Sequence, residues 1–404
     1  MIRQLAWRNI WRNRVRSFAV ILALAAGLFG ALFISGMANG IAKRSVQAAI
    51  DRETADIQIH QSEFLIMEDL NMTFAGDALS AKLKSQEEVI SFAFRVKAPA
   101  MASTANNALQ LNMLGVDPAT EKEVSTIHTL LEEGDYFDET TNLKEVIIST
   151  RLAEKLKVRL RSKIIFSFAD INGEIAYENY KVGGIFKTNN AIFDEANVFV
   201  KREGLRELLK IEAGNYHEAA IRVPKDVDVD VFTESLNEGL GTLKAESWKS
   251  LNPTMSVAES TMEIFKYILV MIVLIALVFG IINTMLMVIL ERTKEIGMLR
   301  SLGMAKQKIA RMIMLETIYL CLVGGLIGNA LTFALVSYFS KKGIHFESFQ
   351  EGFEQFGYSA EIFPEIEPSF YGVITIMVVI TAIFASIFPI MRAFKLDLAS
   401  AIRD

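Results

Sequence analysis

The chain has 404 residues, of which 51% are hydrophobic and 22% charged, and its formal net charge is −5. With a mean hydropathy of +0.31 it is more apolar than a soluble globular protein usually is, so apolar and charged residues are segregated along it. The weakly acidic balance argues against nucleic-acid binding, and a single cysteine, Cys321, rules out an internal disulfide. His60, His128, His217 and His345 lack the spacing of a metal motif.

At the N-terminus, Trp7, Trp11 and Val15 form one row at helical spacing and Arg8, Arg12 and Arg16 the neighbouring row. This is either an amphipathic helix lying on the inner membrane face or a plain set of cytoplasmic arginines. An uncharged apolar stretch follows from Ser17 to Ala42. It is too long for the apolar region of a signal peptide, about 7–15 residues. Gly36 and Gly40 fit the G-x-x-x-G spacing of close helix contacts.

The segment from about Lys43 to Lys266 reads as a mixed α/β domain. It leaves the first span as a helix and turns into strand by Gln61. Strands are expected at Asp56–His60, Leu109–Met113 and Lys163–Phe168. Asn172-Gly173 then makes a hairpin turn, with a return strand over Tyr180–Phe186. Helices are expected over Ser149–Leu156, Arg202–Lys210 and Asp228–Asn237. Gly183 to Thr188 ends in Lys-Thr after glycines but lacks the spacing of a phosphate-binding loop. Neither a catalytic triad nor a carboxylate pair has a recognisable context, so no intrinsic catalysis is expected.

Three more apolar stretches follow, Ile268–Leu290, Thr317–Phe339 and Ser369–Met391, each long enough to cross a ~30 Å hydrocarbon layer. Pro253 to Tyr267 is expected to be helical and continuous with the second span, giving an unbroken lever of roughly 55–60 Å at ~1.5 Å per residue. Asn283 lies within this span and is expected to bond across to another helix. Glu316, near the inner end of the third span, is expected to snorkel or to pair with a basic residue of the preceding loop such as Arg311 or Lys308. Gly324 and Gly328 repeat the small-residue spacing.

Arginine and lysine placement gives an orientation. The N-terminus is basic, as are the loop after the second span (Arg292, Lys294, Arg300, Lys306, Lys308, Arg311) and the tail (Arg392, Lys395, Arg403). The loop between the third and fourth spans is rich in glutamate, with Tyr338 and Phe339 before it and Phe370 and Tyr371 after it. The termini are therefore expected inside and the α/β domain outside.

In the loop after the second span, Ile296, Leu299 and Leu302 share a helical face and Glu291 and Glu295 another. This is a docking helix or a solvated connector. Here the sequence also resembles a known family. Asn283-Thr284-Met285-Leu286-Met287, followed by Glu291-Arg292-Thr293-Lys294-Glu295-Ile296-Gly297-Met298-Leu299-Arg300-Ser301-Leu302-Gly303, resembles the FtsX-like permease domain of the MacB and LolC/LolE ABC transporter permeases. Ser301 stands where alanine is common. Leu315-Glu316, Gly324 to Gly328 and Pro389 to Ala401 are similar to the family's third span and tail. Leu114 to Asp117, Glu133-Gly134, Glu145 to Ser149, Leu152 to Leu156 and Tyr180 to Phe186 resemble, more faintly, the MacB-like periplasmic core domain. Leu160 to Lys163 replaces a common Val-Gly-Asp turn.

The resemblance implies an α-helical membrane protein with four transmembrane helices and a large mixed α/β extracytoplasmic domain, in the bacterial inner membrane and closest in layout to the LolC/LolE lipoprotein-releasing permeases. Its expected parts are a cytoplasmic helix 1–16, a first span 17–42, an external domain 43–262 and a permease domain 263–404. The last holds spans near 264–290, 312–339 and 369–391, a coupling loop 291–311, an external loop 340–368 and a tail 392–404. Partners implied are a cytoplasmic ABC ATPase dimer that binds ATP and Mg, a second permease copy or paralogue, lipoprotein cargo and a periplasmic acceptor, with no cofactor in this chain and no nucleic acid. Coupling to the ATPase is expected through Glu291, Arg292, Glu295, Ile296, Gly297, Leu299, Arg300 and Gly303. An acyl-chain site is expected between the first and second spans from Phe29, Leu32, Phe33, Met37, Phe265, Ile268 and Ile272, and helix packing at Gly36, Gly40, Asn283, Gly324 and Gly328. Drug, peptide or toxin export and FtsX-like signalling to cell-wall hydrolases are the alternatives.

Overall fold

The computed structural model describes residues 2–67, 69–105, 107–137, 144–188, 190–355 and 358–395. The end of the tail, with Arg403, lies outside them. In chain order, α1 (Ile2–Arg12) and α2 (Arg14–Ala49) are separated at Asn13, and a π-helical turn (Ile50–Thr54) leads into β1 (Ile57–Gln61). Then come α3 (Gly76–Lys84), β2 (Ser91–Ser103), β3 (Ala108–Val116), α4 (Pro118–Val124), β4 (Leu131–Gly134), β5 (Glu145–Ser149), α5 (Thr150–Leu156), β6 (Lys163–Ala169) and β7 (Ile175–Phe186). They are followed by α6 (Ala191–Ala196), β8 (Asn197–Lys201), α7 (Arg202–Leu208), β9 (Glu218–Arg222), α8 (Val229–Asn237) and β10 (Leu243–Ser247). The chain ends in α9 (Pro253–Glu291), α10 (Thr293–Ser301), α11 (Lys306–Lys342) and α12 (Pro368–Lys395). The chain divides into two compact units.

The first unit comprises Met1–Ala42, Glu259–His345 and Glu361–Asp404. It holds the apolar cores of α2, α9, α11 and α12, four helices long and apolar enough to cross a membrane. Pro253 and Pro368 open α9 and α12, where a missing N–H leaves nothing unpaired. Leu28 and Leu32 of α2, Val270 of α9, Cys321 of α11 and Ile374 of α12 share the buried core. The N-terminal helix is shorter than the sequence suggests. It ends at Arg12, and Ser17 Oγ donates to the Ile10 carbonyl across the break. Its buried residues are Ala6 and Ile10, not the tryptophan row. Trp7 meets Tyr319 of α11 edge-on at 5.8 Å.

The second unit, Lys43–Ala258 with Phe346–Ala360, is a mixed ten-stranded sheet in the order β10-β1-β9-β2-β3-β8-β5-β7-β4, with β6 pairing both β2 and β7. The β3–β8 and β5–β7 pairs are parallel and the rest antiparallel. The long strand β2 joins two cores, because its first half pairs with β9 and its second with β3 and β6. Val96, Met113, Phe166 and Val198 fill one core and Ile57, Leu83, Ile221 and Phe232 the other.

Local chemistry explains the element ends. Ser149 caps α5 by accepting from Leu152 N, and Asp228 caps α8 by accepting from Asp230 N. The β6–β7 hairpin turns at Gly173 (φ +79) as expected, but its return strand starts at Ile175, five residues before Tyr180. In the turn where the family pattern carries glycine, Arg161 takes φ +67 and its N–H donates to Val182 O.

At the centre of the sheet Arg95 is buried with two carboxylates. Its Nη2 lies 2.7 Å from Glu121 and its Nη1 3.0 Å from Glu218, and Nη1 also donates to Glu53 O. Lys97 pairs with the other oxygen of Glu218. Opposite charge and hydrogen bonds together make such burial tolerable.

Candidate coupling site

The segment between α9 and α11 is built as a short helix with a fixed start and a fixed stop. The ladder of α9 breaks at Arg292 (φ −102°, ψ 17°), and Thr293 Oγ1 donates back to Leu290 O at 2.8 Å. At the far end Gly303 adopts φ +87. Its N–H donates to Arg300 O, and Met304 N–H to Leu299 O, each at 3.0 Å. This is a Schellman ending, and its left-handed residue is glycine because a Cβ there is strained. Leu299 occupies the position whose carbonyl and side chain serve that ending, and Met304 packs on the core.

The face that α10 offers differs from the sequence expectation. Ile296 and Gly297 are buried within the unit, so Ile296 is no anchor for a partner. The apolar side chains in the open are Met298, 61% exposed, and Leu302, 79% exposed. With Lys294 and Ser301 they lie at i, i+4, i+7 and i+8, one stripe of the helix. Lys306, Lys308 and Arg311 are exposed at the start of α11. Arg300 is half-buried and forms no ion pair among the described residues.

The charged residues of the loop are largely occupied by other parts of the unit. Glu291 pairs with Arg16, and Glu295 with Arg12 at 2.5 Å and Arg292 at 3.0 Å. Partial burial disfavours the charged form of Glu295. Hydrogen bonds from Arg12 and Arg292 outweigh it and hold the carboxyl below its ordinary range. Glu316 does not snorkel but pairs, as one reading expected, with a basic residue of the preceding loop, which is Arg292 and not Arg311 or Lys308. It is buried, takes Arg292 Nη1 at 3.2 Å and accepts from Asn9 Nδ2. The spacing signal was present, since Arg12 and Arg16 are four apart and so are Glu291 and Glu295. Nothing in one-dimensional pattern says that the two rows face each other.

The remaining site residues divide. A Cβ on Gly324 or Gly328 would stand 3.1 Å from Ile21 O or 3.0 Å from Ala25 O, so α11 crosses α2 at these two residues. Gly36 and Gly40 receive an extended segment rather than a helix. Glu365 N–H donates to Gly36 O at 2.9 Å, and a Cβ on Gly40 would strike Phe363 O. Asn283 does not bond across to another helix. It is exposed on α9, without a hydrogen-bond partner among the described residues.

Asn283 lines a groove of about 270 Å³ between α2 and α9, with Ala19, Ala23, Leu277 and Met287. None of the residues expected to hold an acyl chain lines this groove. Phe265, Ile268 and Ile272 are exposed on α9, Phe29 stacks on Phe33 at 5.6 Å, Phe33 meets Phe339 at 6.4 Å, Met37 is half-buried and Leu32 is fully buried.

Residues 267–398 match the FtsX-like permease C-terminal family. The macrolide export ATP-binding/permease protein MacB of Neisseria gonorrhoeae is 24% identical over 349 residues, covering 80% of this chain and 51% of the relative. A MacB 1 of Yersinia pestis is 30% identical over 101 residues, 25% of this chain and 16% of the relative. The chain spans about half the length of the first of these. Among solved structures, the periplasmic region of MacB from Actinobacillus actinomycetemcomitans is similar at 13% identity, covering 53% of this chain and 98% of that one, with a TM-score of 0.36. The extracellular domain of the transporter YknZ from Gram-positive bacteria is similar at 14% identity, covering 47% and 99%, with a TM-score of 0.34. Residues 267–398 therefore carry an FtsX-like permease C-terminal domain, and the chain is similar over 80% of its length to MacB.

Proposed function

We propose that the chain couples a cytoplasmic ABC ATPase to an extracytoplasmic α/β domain, with α10 as the element on which the ATPase pushes. The observation that carries this reading is the Lys294–Met298–Leu302 stripe, an open apolar patch with a basic rim on a helix fixed at both ends. Apolar residues held in water on a rigid helix are what a partner surface buries. In this reading ATP and Mg are bound by the ATPase. The lysine and arginine asymmetry supports α1 and α10 on the inner side and the α/β unit on the outer side. In this reading the subunit works in the bacterial inner membrane beside a second copy or paralogue. Cysteine substituted for Met298 and crosslinked in membranes is expected to capture a protein carrying nucleotide-binding motifs. Capture of no such protein, or labelling of Met298→Cys by an impermeant thiol reagent from the outer face, overturns the assignment.

For cargo, the LolC/LolE-like layout supports release of lipoproteins to a periplasmic acceptor, with Phe29, Phe33, Met37, Phe265, Ile268 and Ile272 proposed as outer-side contacts. Similarity to proteins named as macrolide exporters favours a second reading, export of a small amphiphile. Photocrosslinkers at Phe33 and Ile268 separate the two. Acylated protein is expected in the first case and a macrolide photoprobe in the second.

A further inference from the structure

The N-terminal segment is clipped to the loop after the second span residue by residue. Arg12 and Arg16 pair in antiparallel order with Glu295 and Glu291. The two pairs straddle the breaks at Asn13 and Arg292, so both close only when the α1–α2 junction runs alongside the α9–α10 junction. At the base of this zipper Glu316 of α11 is held by Asn9 on one side and Arg292 on the other. Surface ion pairs alone fix little in water. The buried carboxylate makes this arrangement positional, because parting from Asn9 and Arg292 would leave it buried and short of its partners. Without these contacts α10 would be held by its buried face at Ile296 and Gly297 and by its two ends, with nothing tying it to the N-terminal segment.

We propose that Asn9–Arg16 is a positioning strap for α10. It sets the angle of the helix so that a push on Met298 and Leu302 reaches α9 and α11 together. The inference rests on the reading of α10 as the ATPase-docking element. The strap residues act through α10 and contact neither nucleotide nor cargo. This role explains why Glu291 and Glu295 face the arginines rather than a partner.

The test uses the chain purified with its ATPase subunit in lipid nanodiscs. The variants are Arg16→Glu, Glu291→Arg and the double reversal, a pair chosen because it lies outside the buried base. Each single reversal is expected to lower kcat for ATP about tenfold, with KM and the amount of co-purified ATPase unchanged. The double reversal is expected to recover at least half of wild-type turnover. Arg8→Glu, on the exposed side of α1, is expected to behave as wild type. A merely structural role would lower yield and co-purification together and would leave the turnover of surviving complexes unaltered.

Wild-type turnover in the single reversals, or a double reversal no better than they are, overturns the strap. A double-mutant cycle on thermal unfolding of the chain without ATPase reports the pairing by itself. If that coupling is present while turnover ignores both reversals, the ion pair stands and its positioning role falls. If no ATPase accompanies even the wild-type chain, the failure lies in the docking reading, and the strap falls with it.

Discussion

Replacing Met298 and Leu302 together with alanine tests which face of α10 receives the ATPase. The two side chains are 61% and 79% exposed, and full burial of such a side chain is worth about 1.5–3 kcal/mol. Scaled by the area still open, docking recovers roughly 1–2 kcal/mol from each and about 3 kcal/mol from both, or ~100-fold in Kd. Titration of the labelled ATPase subunit onto permease nanodiscs, followed by fluorescence anisotropy, reads this directly. Ile296→Ala is the matched control. Ile296 lies in the core, so its truncation is expected to cost about 2–5 kcal/mol of stability and to lower the melting temperature, with a smaller effect on the affinity of folded protein. If the Met298/Leu302 double variant binds within twofold of wild type while Ile296→Ala loses binding without losing stability, the face assignment is wrong.

Arg95→Met is expected to lower stability by about 3–5 kcal/mol, because Glu121 and Glu218 stay buried with a partner removed. Changing Glu121 to Leu in the same chain should recover much of that loss in a thermal melt. Gly40→Ala forces Phe363 O away and should destabilise the first unit. Gly280→Ala meets nothing within 4 Å and should be neutral or stabilising by up to ~1 kcal/mol. Burial raises the Asp194 carboxyl to about 6, against the hydrogen bonds from Thr188 and the charges of Arg52 and Arg151. A raised carboxyl binds its proton more tightly when folded, so its contribution to stability grows as pH falls from about 7 toward 4. Asp194→Asn should flatten that part of the pH–stability curve, and an unaltered slope would remove Asp194 as its source.

Within the α/β unit, the turn Ile50–Thr54 is tied down at three successive residues. Asp51 takes Arg222 at 2.5 Å, Arg52 lies over the Phe193 ring at 4.6 Å, and Glu53 O accepts from Arg95 at 2.6 Å. Rotation of this turn relative to the sheet therefore strains β9, α6 and β2 at once.

What the sequence disclosed follows from the range of each signal. Spans, hairpin and capped helices depend on neighbours within a few residues: the apolar run of α9, the Asn172-Gly173 turn and the Asp228 cap were all legible. Strands β9 and β10 were not, because Glu218–Arg222 is a short run whose burial is decided by β1 and β2 on either side. The site failed in the same way. Helical spacing placed Ile296 and Leu299 on one face of α10, but spacing cannot say which face the protein has already used. That choice is made in part by Arg12 and Arg16, nearly three hundred residues earlier in the chain, which engage Glu291 and Glu295 while Met298 and Leu302 stay in the open. A docking face is thus defined by subtraction, as what remains of an amphipathic helix after its own chain has taken its share.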